Sequence, residues 1–265
     1  FERPTIATLA EVITQTQSGQ KPLQEQRGYA ITRAERGAPL PLSFAQERMW
    51  FLYQLSPEAA AYNIPASVRL HGPLNKPALR WAVGELVRRH DALRTTFAHV
   101  DGQPRQIIHD ILDPIWTDED LRGVPAELRE ARALELATAE ARRPFNLEQG
   151  PLLRVFLIQL GDEDHVVILN THHIISDQWS YGIIARELVT SYNAFCAGRP
   201  FAVQPDLAIQ YADFAQWQRG WLTGPVLDVQ LAHWRSKLTD VPVLTLPTDR
   251  PRLPVHSFKG DHVSV

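Results

Sequence analysis

Leu152-Leu153-Arg154-Val155-Phe156-Leu157-Ile158-Gln159-Leu160-Gly161-Asp162-Glu163-Asp164-His165-Val166-Val167-Ile168-Leu169-Asn170-Thr171-His172-His173 is the stretch on which the fold turns. Two apolar runs, Leu152 to Leu160 and His165 to His173, flank a polar Gly-Asp-Glu-Asp turn. Apolar runs of this length, bounded by turn residues, predict a hairpin of two buried strands. A helical pattern from Tyr181 to Ala197 follows and ends before Gly198 and Pro200.

Working outward, Ser43-Phe44-Ala45-Gln46 has the form of a capping box and starts a helix that runs to about Gln54, before Ser56-Pro57. Ala66 to His71 alternates like a strand. Lys76 to His90 places Leu79, Val83, Leu86 and Val87 at helical spacing behind Pro77. Thr95 to Val100 and Gln106 to His109 read as strands around the turn Asp101-Gly102, and Glu127 to Arg142 as an alanine-rich helix ended by Pro144. Helices near Gln210 to Trp221 and Val226 to Leu238 complete the pattern. Mixed helices and strands with at least one antiparallel pair give an α/β fold, an α+β sandwich.

At the N-terminus, Ile6, Leu9, Ala10 and Ile13 share one face of a short helix over 1–17, too short to be stable alone. Residues 18–37 are rich in Gly, Gln and charge without periodicity and read as a linker. With Phe at position 1, we expect a fragment of something longer. The chain has 265 residues and a net charge of -3 from 27 basic and 30 acidic side chains, which points to neither nucleic acid nor an anionic membrane. No run approaches the roughly 18 apolar residues of a membrane span. The lone cysteine, Cys196, falls on a helical pattern that we expect to be half buried. It excludes an intrachain disulfide and a zinc–thiolate cluster and fits a cytoplasmic location.

The candidate chemistry lies at the end of the second strand. His172 and His173 are followed by Ser176, Asp177, Gln178, Trp179 and Ser180. An imidazole has an unperturbed pKa of about 6.5 and can act as a general base or a positioning hydrogen-bond partner near neutrality. Strand periodicity sends His172 and His173 to opposite faces, with Val167, Leu169 and Thr171 on the side of His173, so one ring serves a cavity and the other is held inside. The same pair is also what two core histidines bonded to backbone would look like. Ligands on opposite faces argue against one shared metal ion. Ser176 and Ser180 lie in no nucleophile elbow, so direct transfer between two bound substrates fits better than an acyl-enzyme. Asp177 reads either as the cap of the next helix or as a carboxylate paired with arginine.

His172-His173-Ile174-Ile175-Ser176-Asp177 resembles the HHxxxDG motif of condensation domains from nonribosomal peptide synthetases. Three further runs resemble motifs of that family, in family order: Ser43 to Leu52 (SFAQERMWFL), Arg89 to Phe97 (RHDALRTTF) and Tyr211 to Trp217 (YADFAQW). Leu246 to Arg252 resembles the loop into a second lobe. Phe1 to Ala10 is similar to the last helix of a carrier protein. The resemblance covers residues 38–265, the first lobe of a two-lobed fold like chloramphenicol acetyltransferase, with the second lobe absent.

The resemblance implies amide formation between a donor thioester and an acceptor aminoacyl thioester, both delivered on the phosphopantetheine of carrier proteins. The chain itself binds no cofactor. Implied partners are upstream donor and downstream acceptor carriers, a neighbouring adenylation domain and the second lobe. His173 matches the catalytic histidine; His172 braces the loop. Asp177 is structural and pairs with Arg89 or Arg94. Arg48, Ser176, Gln178, Trp179 and Ser180 line the tunnel. The motif's glycine is Gln178 here, which points to a need for positive φ at that place or to crowding of the substrate. An epimerisation domain shares the histidines but usually places Trp after Ser, whereas this chain has Trp179-Ser180. A degenerate domain that recruits partners is the non-catalytic alternative. Heterocyclising relatives carry aspartates in place of the histidines.

Overall fold

The computed structural model describes residues 30–199 and 204–251. The N-terminal helix expected over 1–17, most of the linker and the residues beyond Pro251 lie outside them. The described residues from Arg33 onward belong to one compact unit.

The predicted hairpin is the centre of the molecule. Strands β6 (Leu153–Gly161) and β7 (Asp164–His172) pair antiparallel, with Leu153 opposite Thr171 and Leu157 opposite Val167. β7 also pairs antiparallel with β2 (Asn63–His71), in a register that sets Asn63 opposite His172. β6 pairs parallel with β5 (Ile115–Asp120), giving the sheet order β2-β7-β6-β5. A second, three-stranded sheet has the order β1-β4-β3, from β1 (Leu40–Pro41), β3 (Thr95–Val100) and β4 (Gln103–Ile108). The Asp101-Gly102 turn joins β3 to β4 with both residues at positive φ, 51° and 73°, as a two-residue hairpin loop of the I′ type demands.

Both faces of the β6–β7 hairpin are covered, which is why its sequence reads as continuous apolar runs without alternation. Leu153, Val155, Leu157, Val167 and Leu169 meet Leu79, Val83, Leu86 and Val87 of α2 (Lys76–Arg89) and Ile184 of α4 (Gln178–Cys196). On the other face, Phe156, Ile158 and Ile168 meet Ala133 of α3 (Ala126–Arg142). α3 is the crossover of a β5-α3-β6 unit, the long connection a parallel pair requires. A further cluster joins Met49 and Trp50 of α1 (Phe44–Leu55) to Phe97, Phe145, Leu152 and Ile174. Helices α5 (Tyr211–Trp221) and α6 (Gly224–Leu238) follow; α6 buries none of its residues.

The structure corrects several expectations. β5 carries Asp118, Glu119 and Asp120 and has no strand signature in sequence. Arg80 pairs with Asp118, and Arg122 reaches Asp120 at 2.7 Å, so this edge tolerates its acids. β2 starts at Asn63 and includes Pro65, which an edge strand accommodates. α4 begins three residues earlier than expected, at Gln178, because Asp177 caps it. Cys196 is exposed, not half buried. Ala34 and Arg36, inside the stretch read as linker, are held to α5: the Ala34 N–H donates to Asp213 at 2.9 Å and Arg36 to the same carboxylate at 2.8 Å.

Candidate functional site

β7 ends at His172, and the chain turns through His173 to Asp177 before α4 begins. Three sets of hydrogen bonds shape this loop. The His173 N–H donates to the Tyr62 carbonyl at 2.8 Å and the Ile175 N–H to the His172 carbonyl at 3.1 Å. The hydroxyls of Thr171, Ser176 and Tyr181 form a buried chain with Thr171 in the middle, 2.6 Å from Ser176 and 2.8 Å from Tyr181. The Tyr181 hydroxyl also donates to the Ile64 carbonyl at 2.5 Å, tying loop and helix to β2.

The two histidines are divided as strand periodicity predicts. His172 is 4% exposed, and its Nδ1 accepts the Ile174 N–H at 3.1 Å. Burial, with the charge of His173 as a lesser cause, lowers its pKa to about 4 and keeps it neutral. Its ring lies between Tyr62 and Phe145, with centroids 6.3 and 6.2 Å away. A cavity of 90 Å³ beside it is lined by Leu52, Tyr53 and Tyr62. His173 is exposed and faces a different cavity, of 70 Å³, with Ala45, Gln46, Arg48, Met49 and Tyr211. His173 Nδ1 lies 2.8 Å from the Ser176 carbonyl oxygen. A carbonyl only accepts, so Nδ1 carries the proton and the Nε2 of the neutral ring carries the lone pair. The ring is thereby set to take a proton or a hydrogen bond at Nε2.

Of the residues singled out in the sequence, Arg48 is the one whose side chain joins His173 at a cavity; it comes from the first turns of α1, which the observed Ser43–Gln46 capping box positions. Ser176 supplies the carbonyl, while its hydroxyl belongs to the Thr171 chain and is not poised as a nucleophile. Ser176 and Ser180 line a larger, mostly apolar cavity of 170 Å³ with Leu93, Ile184 and Ile209. Trp179 is 82% exposed. Gln178 is exposed in the first turn of α4, and the only described non-glycine residues at positive φ are Asp101 and Asp240. A backbone need for glycine at position 178 is therefore ruled out.

The expected pairing of Asp177 with Arg89 or Arg94 is also wrong. Asp177 is the N-cap of α4: its Oδ1 accepts the Ser180 N–H at 2.8 Å and the Ser180 hydroxyl at 2.6 Å, and its own N–H donates to Ser180 Oγ at 3.2 Å. The Ser180 hydrogen bonds hold its carboxyl below the usual range. Arg89 pairs with Glu187, which also binds His90 at 2.7 Å. Arg94 pairs with Asp91 at 2.5 Å. Arg36, unmarked in the sequence, binds Asp91 at 3.1 Å and Asp213 at 2.8 Å, and so ties the RHDALRTTF and YADFAQW runs together. Among the described residues no cluster of His, Cys, Asp or Glu is arranged to hold a metal ion, and no helix is long and apolar enough to cross a membrane.

With this geometry in view, comparison with known proteins is specific. The family model of the condensation domain matches residues 38–265. One of the linear gramicidin synthase proteins of Brevibacillus parabrevis is 46% identical over 98% of this chain, which spans 3% of that synthase. The X-domain from teicoplanin biosynthesis superposes with a TM-score of 0.72 at 29% identity, over 84% of this chain and 49% of that one; its complex with OxyB superposes at 0.70. The first condensation domain of the calcium-dependent antibiotic synthetase shares the fold, with a TM-score of 0.69 at 23% identity over 78% of this chain and 49% of that one. The chain thus spans about half the length of these solved domains.

Proposed function

The chain belongs to the condensation-domain family, and from that premise we propose that it supplies the histidine-bearing lobe of a catalyst that joins two carrier-bound acyl groups in nonribosomal peptide synthesis. The acceptor's α-amine attacks the donor thioester. A C–N bond forms, the C–S bond breaks, and the phosphopantetheine thiol leaves with a proton. Thioester aminolysis is downhill, so this step needs no ATP. The substrates arrive from an upstream donor and a downstream acceptor carrier protein, the acceptor having been loaded by a neighbouring adenylation domain.

The observation that carries this reading is the His173 ring, with Nδ1 committed to Ser176 and Nε2 without a partner among the described residues, in a cavity shared with Arg48. Nε2 would accept from the attacking amine, either holding its lone pair in line or taking the proton released as the amide forms. Arg48 would line the path to it, and His172, neutral and packed, would brace the loop. We propose that the second lobe completes the site. Consistent with this, the apolar side chains Val229, Leu231, Trp234 and Leu238 of α6 stand exposed.

The test is single-turnover condensation in the complete two-lobed domain, with donor and acceptor carriers loaded and dipeptidyl-carrier followed by intact mass. Product from wild type and none from His173→Ala is expected. Equal product from both overturns the role of His173. A second reading, a platform that recruits a partner protein, is favoured by the likeness to a domain solved in complex with OxyB. Carrier binding without any turnover in wild type would select it.

A further inference from the structure

Side chains from three strands converge on the last turn of α3. Arg154 of β6, only 4% exposed, donates to the carbonyls of Arg143 at 2.6 Å, Pro144 at 3.1 Å and Glu140 at 3.3 Å, and its Nε binds the Glu140 carboxylate. Asn170 of β7 donates to the Glu140 carbonyl at 2.9 Å. Asn63 of β2 donates to the carbonyls of Ala141 and Arg143, each at 2.8 Å. Glu140 and Ala141 lie in the last turn, where a helix runs short of intrahelical donors, Arg143 is its C-cap and Pro144 follows, and a guanidinium there also complements the helix dipole.

The three donors sit where the histidine loop departs. Asn63 is the register partner of His172, Asn170 lies two residues before it, and Arg154 is the register partner of Asn170. The Arg154 guanidinium lies over the Phe145 ring, 3.7 Å from its centroid. Phe145 in turn meets the His172 ring edge-on, at 6.2 Å and 82°. Burial lowers the pKa of Arg154 against the opposing effect of Glu140. An apolar side chain would fill the same space without that desolvation cost. What it could not do is donate to three backbone carbonyls while lying over a ring, as a planar guanidinium can.

We propose that Arg154 is a positioning residue: it clamps the end of α3 and the Phe145 ring against His172 and so fixes the strand end from which His173 projects. The inference rests on His173 as the reacting imidazole, but its structural core, the fixing of the His173 ring, is measurable without turnover.

Two variants test it. Arg154→Lys keeps a charge opposite Glu140 but cannot span the carbonyls. Arg154→Met with Glu140→Leu removes both charges while filling the space, a replacement that preserves folding in other buried pairs. Histidine-ring 15N NMR on the chain reads the tautomer of His173, and single-turnover condensation in the complete domain reads the rate. The expected result is a cooperative melt for both variants, a mixed His173 tautomer in place of the Nδ1–H form, and a rate lower by about tenfold or more with unchanged carrier affinity. A folded double variant that keeps both the single tautomer and the wild-type rate would falsify the proposal. Should both variants fail to fold, Phe145→Leu breaks the link to His172 and leaves the bonds of Arg154 to the end of α3; an unchanged His173 tautomer there overturns the inference. Absent turnover in wild type would count against the proposed reaction and leave the tautomer result standing.

Discussion

Asp177 and Ser180 exchange three hydrogen bonds across the first turn of α4, each satisfying the other's backbone N–H. The aspartate of the histidine motif is thus a helix cap, and its reach ends one turn away. This decides how much it is worth. Loss of an N-cap costs about 1 kcal/mol, whereas an uncompensated partner of a buried ion pair costs about 3–5 kcal/mol. Asp177→Ala should therefore lower unfolding free energy by about 1 kcal/mol, with Asp177→Asn close to wild type. Urea titration of the three proteins measures it. A loss of several kcal/mol would restore the arginine pairing that the geometry rejects.

The heavier electrostatic load falls on Arg36. Asp213 is 1% exposed and Asp91 6%, and Arg36 serves both. Arg36→Met strands two buried carboxylates, of which Asp91 keeps Arg94 and Asp213 keeps backbone donors. A loss of about 3 kcal/mol is expected, at the lower end for a broken buried pair. Arg36→Lys should recover only part of it, since one ammonium cannot present two guanidinium edges. Equal denaturation midpoints for wild type and Arg36→Met would show that the clasp is ornamental.

These two cases mark what could be read in the sequence. Ser43 with Gln46, Asp101-Gly102 and the Leu152–His173 hairpin are local: each joins residues near in sequence, through a cap or a short turn, and each forms as its pattern predicts. So does the division of His172 from His173, which follows from the period of a strand. Arg36 acts on a residue 177 positions away, and no periodicity announces it. Arg89 and Arg94 belong to a motif of the family, yet Glu187 and Asp91 claim them in place of Asp177. β5 is illegible because its acids are neutralised by arginines from α2 and from the loop after β5 itself, not by its own pattern. Arg154 looks like an interruption of an apolar strand; only the end of α3 gives it a purpose.

His172 gives the chain a pH signature. Its folded pKa, about 4, lies below the unfolded value of 6.5. Between these values the unfolded chain binds a proton that the folded chain refuses, so stability rises with pH across that window and is lost on acidification from about 6.5 toward 4. The contribution is about 3 kcal/mol in all. His172→Gln removes the titrating group, so its unfolding free energy should fall less steeply over the same range. Parallel pH slopes for the two proteins would assign the acid sensitivity to other groups.

Gln178 is the last test, because it separates backbone from space. Its φ lies outside the left-handed region, so glycine is not needed there for conformation. What remains of the motif's glycine is the absence of a side chain at the start of α4, directly after the loop that holds His173. In the complete domain, Gln178→Gly should raise the single-turnover rate if the glutamine obstructs the substrate. It should also cost up to about 1 kcal/mol of stability, since glycine is a poorer helix residue. Gln178→Ala distinguishes the causes: it removes most of the bulk while favouring the helix, so it should gain rate without losing stability. An unchanged rate in both variants would mean that the substrate path does not pass Gln178, and that the departure from the motif is without consequence for turnover.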